Sequence, residues 1–238
     1  MNAVRGLLDM IARLATEYEP TEIVACWDND WRPQWRVDLI PTYKTHRIAA
    51  EPATDADPAI ESVPDPLSQQ IPIIRLVLDA LGSPIIGAAR HEADDVIGAL
   101  ALHASIPVDI VTGDRDLFQL VDDARHVRVI YTGRGMSRLE TLTDDSLSLK
   151  TGVTPAQYAD FAVLRGDASD GLPGVAGVGE KTAATLLASW GDLDGIARAA
   201  ADPRPRGVAH TGRRIVSRAA DATPPSDKGS PSPDRLIT

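Results

Sequence analysis

Three short acidic clusters carry the clearest chemical signal in this 238-residue sequence. The first is His91-Glu92-Ala93-Asp94-Asp95, at an expected helix start. Glu92 and Asp95 are three positions apart and so share a helix face. Acids also settle at helix N-termini for purely structural reasons, because the exposed N–H groups there carry partial positive charge. The second cluster is Thr112-Gly113-Asp114-Arg115-Asp116, just past a buried strand. In open parallel sheets, sites form outside the carboxyl ends of strands, although an Asp there can simply cap the next helix. The third, Gly166-Asp167-Ala168-Ser169-Asp170-Gly171, also reads as a plain turn. Asp28 closes another strand-like run, over 23–27, in a similar position.

Together these acids suit hard divalent cations. Mg²⁺ and Mn²⁺ take carboxylate and water oxygens, whereas zinc would call for His or Cys clusters that this sequence lacks. Two such ions roughly 4 Å apart can activate a water and stabilise the leaving oxygen of a phosphodiester. Without cations, crowded carboxylates repel one another.

The sharpest motif is Leu172-Pro173-Gly174-Val175-Ala176-Gly177-Val178-Gly179-Glu180-Lys181-Thr182-Ala183, between two helical segments. Its glycines expose backbone N–H groups beside a helix start, which suits a DNA phosphate and reads no bases. A nucleotide-binding loop is a poor fit, because no strand leads into it and the spacing is not that of a P-loop. A tight helical hairpin without a ligand is the plain alternative. Upstream, residues 31–47 combine Arg32, Arg36, Lys44 and Arg47 with Trp31, Trp35 and Tyr43. Cations suit phosphates and aromatics suit unpaired bases. Equally, Trp35 and Tyr43 could be core residues with the cations on a solvated face.

The elements that must position these residues follow from periodicity. Helical spacing predicts helices over 4–17, 67–81 and 92–103, and short apolar runs predict strands over 22–27, 84–86, 108–111 and 127–131. Asp114 is expected to cap a helix running to about Val121. This alternation predicts a largely parallel sheet covered by helices. From Thr154 the pattern is helical only, with helices over 154–164 and 180–189. Residues 48–66, rich in Ala, Pro, Asp and Glu, read as a loop or mobile segment. Residues 201–238 lose apolar periodicity and read as disordered.

Composition sets the outer limits. The net charge of −10 argues against nucleic acid at first sight. A polymetal site concentrates carboxylates, however, and its cations cancel part of that charge. Residues 198–238 carry eight basic side chains against four Asp, which leaves the remainder more acidic still. No run of about 18 apolar residues is present, so no membrane helix is expected. No secretory signal is visible. A single cysteine, Cys26, excludes an internal disulfide and fits a reducing cytoplasm.

The order Asp28, Tyr43-Lys44-x-x-Arg47, Glu92-Ala93-Asp94-Asp95, Thr112-Gly113-Asp114-Arg115-Asp116-Leu117, Gly166-Asp167-Ala168-Ser169-Asp170-Gly171-Leu172-Pro173-Gly174 and Gly177-Val178-Gly179-Glu180-Lys181-Thr182-Ala183 resembles the bacterial 5′–3′ exonuclease and flap endonuclease family. That family includes the N-terminal domain of DNA polymerase I and stand-alone relatives, and the likeness covers roughly residues 2–195. It implies an α/β, PIN-like, mostly parallel sheet flanked by helices over 1–150. A small all-α helix–three-turn–helix DNA-binding unit over 151–197 and the Pro/Arg-rich tail over 198–238 would follow. The family's first strand, with its metal-binding Asp, would precede the point matching Met1, leaving an open slot beside residues 23–27.

The resemblance also implies roles. Asp28, Glu92, Asp94, Asp95, Asp114, Asp116, Asp167 and Asp170 would hold two or more Mg²⁺ or Mn²⁺ ions, directly or through water. Arg36 and Lys44 would stabilise charge on the scissile phosphate. Tyr43, Arg47, Gly177, Gly179, Lys181 and Thr182 would contact DNA. Ser169, with carbonyls near Val175 and Val178, resembles a K⁺ site that bridges to a DNA phosphate. The implied function is metal-dependent 5′–3′ exonuclease and 5′-flap endonuclease activity in DNA replication and repair, by a cytoplasmic monomer without membrane partners. The rival reading is a protein that binds branched DNA without cutting it.

Overall fold

The computed structural model describes residues 1–50, 60–63 and 65–201. It forms two units, Met1–Ile97 and Gly98 onward. The tail expected to be disordered lies, beyond residue 201, outside the described residues, as does most of the segment 51–59 and 64.

The first unit opens with α1 (Asn2–Tyr18), whose apolar face buries Val4 and Leu14. Met1 at its N-cap has no side-chain oxygen for the first-turn N–H groups. Gln70 supplies one from elsewhere in the chain. Its buried Oε1 accepts from the Ala3 N–H at 2.9 Å and the Val4 N–H at 3.4 Å. Its Nε2 donates to Asn2 Oδ1 at 3.2 Å and to the Pro66 carbonyl at 2.6 Å.

The strand expected over 22–27 shortens to β1 (Ala25–Cys26). Residues 31–47 then form α2 (Gln34–Leu39) and a 3₁₀ turn at Thr45–Arg47. The segment expected to be a loop over 48–66 is not all loop where it is described. There β2 (Ile48–Ala50) pairs antiparallel with β3 (Ile60–Glu61), and α3 (Asp65–Ser68) follows. The Ser62 N–H extends that ladder to the Arg47 carbonyl at 2.8 Å. Gln70 stands immediately before α4 (Ile71–Ala80), so one carboxamide ties the start of α1 to the entry of α4. β1 pairs in parallel with β4 (Ile85–Ile86), in the register Ala25↔Ile85 and Cys26↔Ile86. The pairing stays short because Pro84 has no N–H to continue it.

α5 (Ala93–His103) runs across the division between the units. In the second unit β5 (Val108–Thr112) pairs in parallel with β6 (Val127–Tyr131) over five residues, and β6 pairs antiparallel with β7 (Glu140–Leu142). The sheet is therefore mixed. β7 and the helix after it, α6 (Asp144–Thr151), have weak apolar periodicity; α6 buries only Leu147. Its signal lies in the cap, where Thr143 and Ser146 form a reciprocal capping box.

The α-helix expected after Asp114 is instead a 3₁₀ helix, Asp116–Leu120. Leu117 and Phe118 are adjacent yet both buried, and the Asp122↔Val127 bridge begins just beyond. So short a span leaves no room for an α-helical ladder. Phe118 packs edge-on against Tyr131 at 5.1 Å and against Tyr158 at 5.4 Å. The helix expected over 154–164 divides into a 3₁₀ turn, Pro155–Gln157, and α7 (Tyr158–Arg165). α8 (Glu180–Trp190) and α9 (Leu193–Ala201) complete the described chain.

Replacing Gln70 with Ala would strip four hydrogen bonds from the first unit. The expected cost is about 1–2 kcal/mol, read as a lowered denaturation midpoint with an unchanged slope.

Candidate metal centre and its counter-charges

The sequence-predicted residues fall into two groups, one in each unit. In the first unit, α2 carries Arg36, the turn after it carries Tyr43 and Lys44, and the start of α5 carries Glu92 and Asp95. All five are buried. Arg36 Nη1 donates to Glu92 Oε2 at 2.5 Å, and its Nη2 to Asp95 Oδ1 at 2.7 Å. The Tyr43 hydroxyl donates to Glu92 Oε2 at 2.6 Å, and Lys44 Nζ to Glu92 Oε1 at 2.7 Å. Lys44 holds a left-handed backbone at φ 48°, an unfavourable conformation for a side chain with Cβ. Its bond to Glu92 anchors it there.

Burial pushes the Glu92 carboxyl above its ordinary range, while Lys44, Tyr43 and Arg36 pull it back. Burial works against the Arg36 charge, yet Glu92, Tyr43 and Asp95 more than offset it and raise its pKa. Neither sequence reading of residues 31–47 anticipated this. Tyr43 is core, but Arg36 and Lys44 lie on no solvated face; they neutralise two buried acids. Trp35 stays half exposed, with its Nε1 donating to the Arg90 carbonyl at 3.2 Å.

Two acids in this unit also cap α5. Asp28 Oδ1 accepts from the Ala93 N–H at 2.6 Å, and Asp95 Oδ2 from the Glu92 N–H at 3.0 Å. The purely structural reading of this cluster therefore has substance. Burial first, and the Asp94 charge second, push the Cys26 thiol up to about 11. Arg47 takes part through its backbone in the β2–β3 ladder.

In the second unit, β5 ends at Thr112 and delivers Asp114 and Asp116. The Asp114 N–H donates to Thr112 Oγ1 and the Asp116 N–H to Asp114 Oδ1, both at 2.9 Å. α7 ends at Arg165 and delivers Asp167 and Asp170. Asp167 Oδ1 accepts from the Ser169 N–H at 2.9 Å and from the Ser169 hydroxyl. The loop is closed by reciprocal backbone bonds between Asp167 and Leu172, at 3.0 and 2.8 Å.

Glycine is obligatory beneath that loop. Gly166 (φ 81°) and Gly174 (φ 64°) press backbone to backbone. A Cβ on Gly174 would lie 2.5 Å from Gly166 N, and one on Gly166 would lie 2.8 Å from Gly174 N. The chain then turns through Val175 and Val178, which are buried, with the Val178 N–H on the Val175 carbonyl at 2.9 Å. Gly179 caps α8 without a side-chain bond, so Glu180, Lys181 and Thr182 open a helix whose first-turn N–H groups have no side-chain cap.

Asp116 is the electrostatic focus of this unit. Its Oδ1 is buried without a hydrogen-bond partner among the described residues. Burial first, then the charges of Asp114, Asp170 and Asp167, raise its carboxyl to about 7, against a smaller pull from Arg165. Among the described residues, no group of three or more acid, His or Cys side chains is arranged to hold a metal ion. What the unit holds is an acidic cluster with an unsatisfied oxygen, and a hard divalent cation fits both the charge and the donor set.

Residues 1–152 match the N-terminal resolvase-like domain of 5′-3′ exonuclease, and residues 153–222 match its C-terminal SAM fold. The chain belongs to the 5′-3′ exonuclease family. A 5′-3′ exonuclease of Streptomyces coelicolor is 59% identical over 206 residues, covering 87% of this chain and 68% of that protein. One from Mycobacterium tuberculosis is 50% identical over 208 residues, covering 85% and 65%. The chain thus spans about two thirds of the length of these relatives. The structure of T5 5′-exonuclease with bound zinc superposes with a TM-score of 0.68 at 18% identity, covering 92% of this chain and 77% of that one. The catalytic core of Rad2 in complex with DNA substrate gives 0.57 at 18% identity, covering 91% and 64%. Both share the fold: a mixed α/β domain followed by a helical one.

Two cations beside this exonuclease-family cluster escaped the sequence reading. Arg115 donates to Tyr131, which with lesser charges raises its own pKa. Arg165 reaches both Asp167 and Glu180. Their adjacency to Asp114, Asp116 and Asp167 was the available signal.

Because the folded-state pKa of Asp116 is raised, the metal-free fold loses stability as pH climbs from about 4 to about 7. Asp116→Asn removes that cost. In EDTA at pH 8 it should stabilise the chain by about 1–2 kcal/mol, and at pH 4 it should change little. Thermal melts at the two pH values check this.

Proposed function

We propose that this chain hydrolyses DNA phosphodiesters with Mg²⁺ or Mn²⁺, acting as a 5′–3′ exonuclease and 5′-flap endonuclease in replication and repair. The observation that carries the reading is Asp116, a carboxylate with an unpartnered buried oxygen, crowded by Asp114, Asp167 and Asp170. Such crowding is costly unless cations are bound. When bound, the ions supply an activated water and neutralise charge on the departing oxygen.

The chain's own residues divide the remaining work. Asp114, Asp116, Asp167 and Asp170 hold the ions, and the same role is proposed for Asp28, Glu92, Asp94 and Asp95 of the first unit. The first turn of α8, with Gly177, Gly179, Lys181 and Thr182, grips a DNA phosphate through main-chain N–H groups. Ser169 and the carbonyls near Val175 and Val178 would hold a K⁺ ion, which would supply positive charge for a DNA phosphate. The proposed roles of Arg36 and Lys44 at the scissile phosphate, and of Tyr43 beside Arg47 on the DNA, require the buried bonds of Arg36, Lys44 and Tyr43 to Glu92 and Asp95 to give way. The zinc ions of T5 5′-exonuclease and the DNA substrate of Rad2 support both partners. We place the protein in the cytoplasm, a reading its lone cysteine fits, and propose that it acts as a monomer. No helix among the described residues is long and apolar enough to cross a membrane.

One observation favours a second reading, in which the chain binds branched DNA without cutting it. Glu92 and Asp95 already have Arg36 and Lys44 as ion-pair partners. A metal would have to compete with those cations.

Cleavage of a 5′-labelled flap duplex in Mn²⁺ decides between the two. The nuclease reading expects cleavage by the chain and a loss of at least about a hundredfold in Asp116→Ala. Flap binding without cleavage by either protein would leave the second reading standing.

A further inference from the structure

Arg165 is the last residue of α7, two positions before Asp167. Its side chain is 14% exposed and so lies mostly out of water. Nη2 donates to Asp167 Oδ2 at 3.3 Å, and Nη1 lies 3.6 Å from Glu180 Oε1. Its Nε is buried without a partner, and its guanidinium sits 5.5 Å over the Phe161 ring. Its backbone is equally confined, because the Gly166–Gly174 contact begins at the next residue. A Cβ on Gly174 would lie 2.6 Å from the Arg165 carbonyl oxygen.

One cation thus stands between two acids of different character. Asp167 belongs to the crowded cluster and its side chain is 15% exposed; Glu180 opens α8 and is 63% exposed. The charge of Arg165 also reaches Asp116. In the absence of metal its charge partly offsets that of Asp167 and Asp116. A divalent ion arriving among Asp116, Asp167 and Asp170 meets this charge within the same few ångströms, in a medium where like charges interact strongly. The planar fork of arginine can shift its weight from one carboxylate to the other without leaving its seat on Phe161.

We propose that Arg165 is a positioning residue that serves as the built-in counter-cation of the acidic cluster and passes its charge from Asp167 to Glu180 when a divalent ion binds. The proposal rests on the metal-centre reading above. It makes metal occupancy and the ordering of Glu180, at the start of the phosphate-binding turn, parts of one event. It also makes Arg165 a competitor of the metal, so that the chain gives up some metal affinity for a cluster that stays folded when empty.

The test uses the full chain and Mn²⁺ alone, with affinity read from loss of the free-ion electron spin resonance signal and stability from melts in EDTA. Arg165→Met should bind Mn²⁺ about tenfold more tightly, melt lower in EDTA, and recover at saturating Mn²⁺. Arg165→Lys should remain near the parent in both. Glu180→Gln, an exposed change that should leave folding intact, removes the second anchor and should weaken Mn²⁺ binding about threefold. Equal or weaker Mn²⁺ binding by Arg165→Met overturns the proposal. If Arg165→Met does not fold under either condition, unchanged affinity in Glu180→Gln overturns it. Parent binding that Asp116→Asn leaves unchanged would instead remove the metal-centre reading, and this inference with it.

Discussion

Carboxylates brought together out of water repel one another, and each must be answered by a cation or give up its charge. The two units answer this constraint differently. The first supplies fixed partners: Arg36 and Lys44 surround Glu92 and Asp95 with bonds of 2.5–2.7 Å, and Tyr43 adds a neutral donor. The second sets Arg165 against Asp167, shares it with Glu180 at longer range, and leaves Asp116 with an unmatched oxygen and a pKa of about 7. The first arrangement resembles a finished salt-bridge core. The second is an incomplete one, and incompleteness of this kind is what a dissociable cation can fill.

Much of the local architecture serves to hold that incomplete cluster in place. The five-residue parallel pairing of β5 and β6 aims Asp114 and Asp116 off a strand end. Phe118, held edge-on against Tyr131 and packed on Tyr158, fixes the 3₁₀ turn that carries Asp116. The Gly166–Gly174 contact fixes the loop carrying Asp167 and Asp170. Acids that repel one another stay close because apolar packing and backbone hydrogen bonds, not the acids themselves, determine where they are.

Membership in the 5′-3′ exonuclease family gives these features a common purpose without deciding how each side chain is used. The family match runs to residue 222, well beyond α9. The helix-capping reading of the acids and the metal reading are also compatible at Asp28. Asp28 accepts from the Ala93 N–H through Oδ1 and keeps its second carboxylate oxygen, whereas Asp95, which accepts from the Glu92 N–H just before α5, has both oxygens engaged by Arg36.

The sequence by itself determined the motif order, the family, and the strands and helices whose periodicity is strong, such as β6 and α8. Those properties depend on residue type and spacing along the chain, and they survive without knowledge of what packs where. It could not show that Arg36 and Lys44 turn inward to Glu92 and Asp95, since those partners are 48 to 59 residues away. Nor could it show that Gln70 caps α1 from 67 residues away, or that Leu117 and Phe118 tighten an expected α-helix into a 3₁₀ turn. β7 and α6 passed unnoticed because their stability comes from pairing with β6 and from a cap rather than from an apolar stripe. Which charge meets which, and how dry the meeting place is, are set by contacts between distant segments. Only the tertiary structure decides them, because electrostatic energy depends on distance and local dielectric, and neither is encoded in sequence spacing.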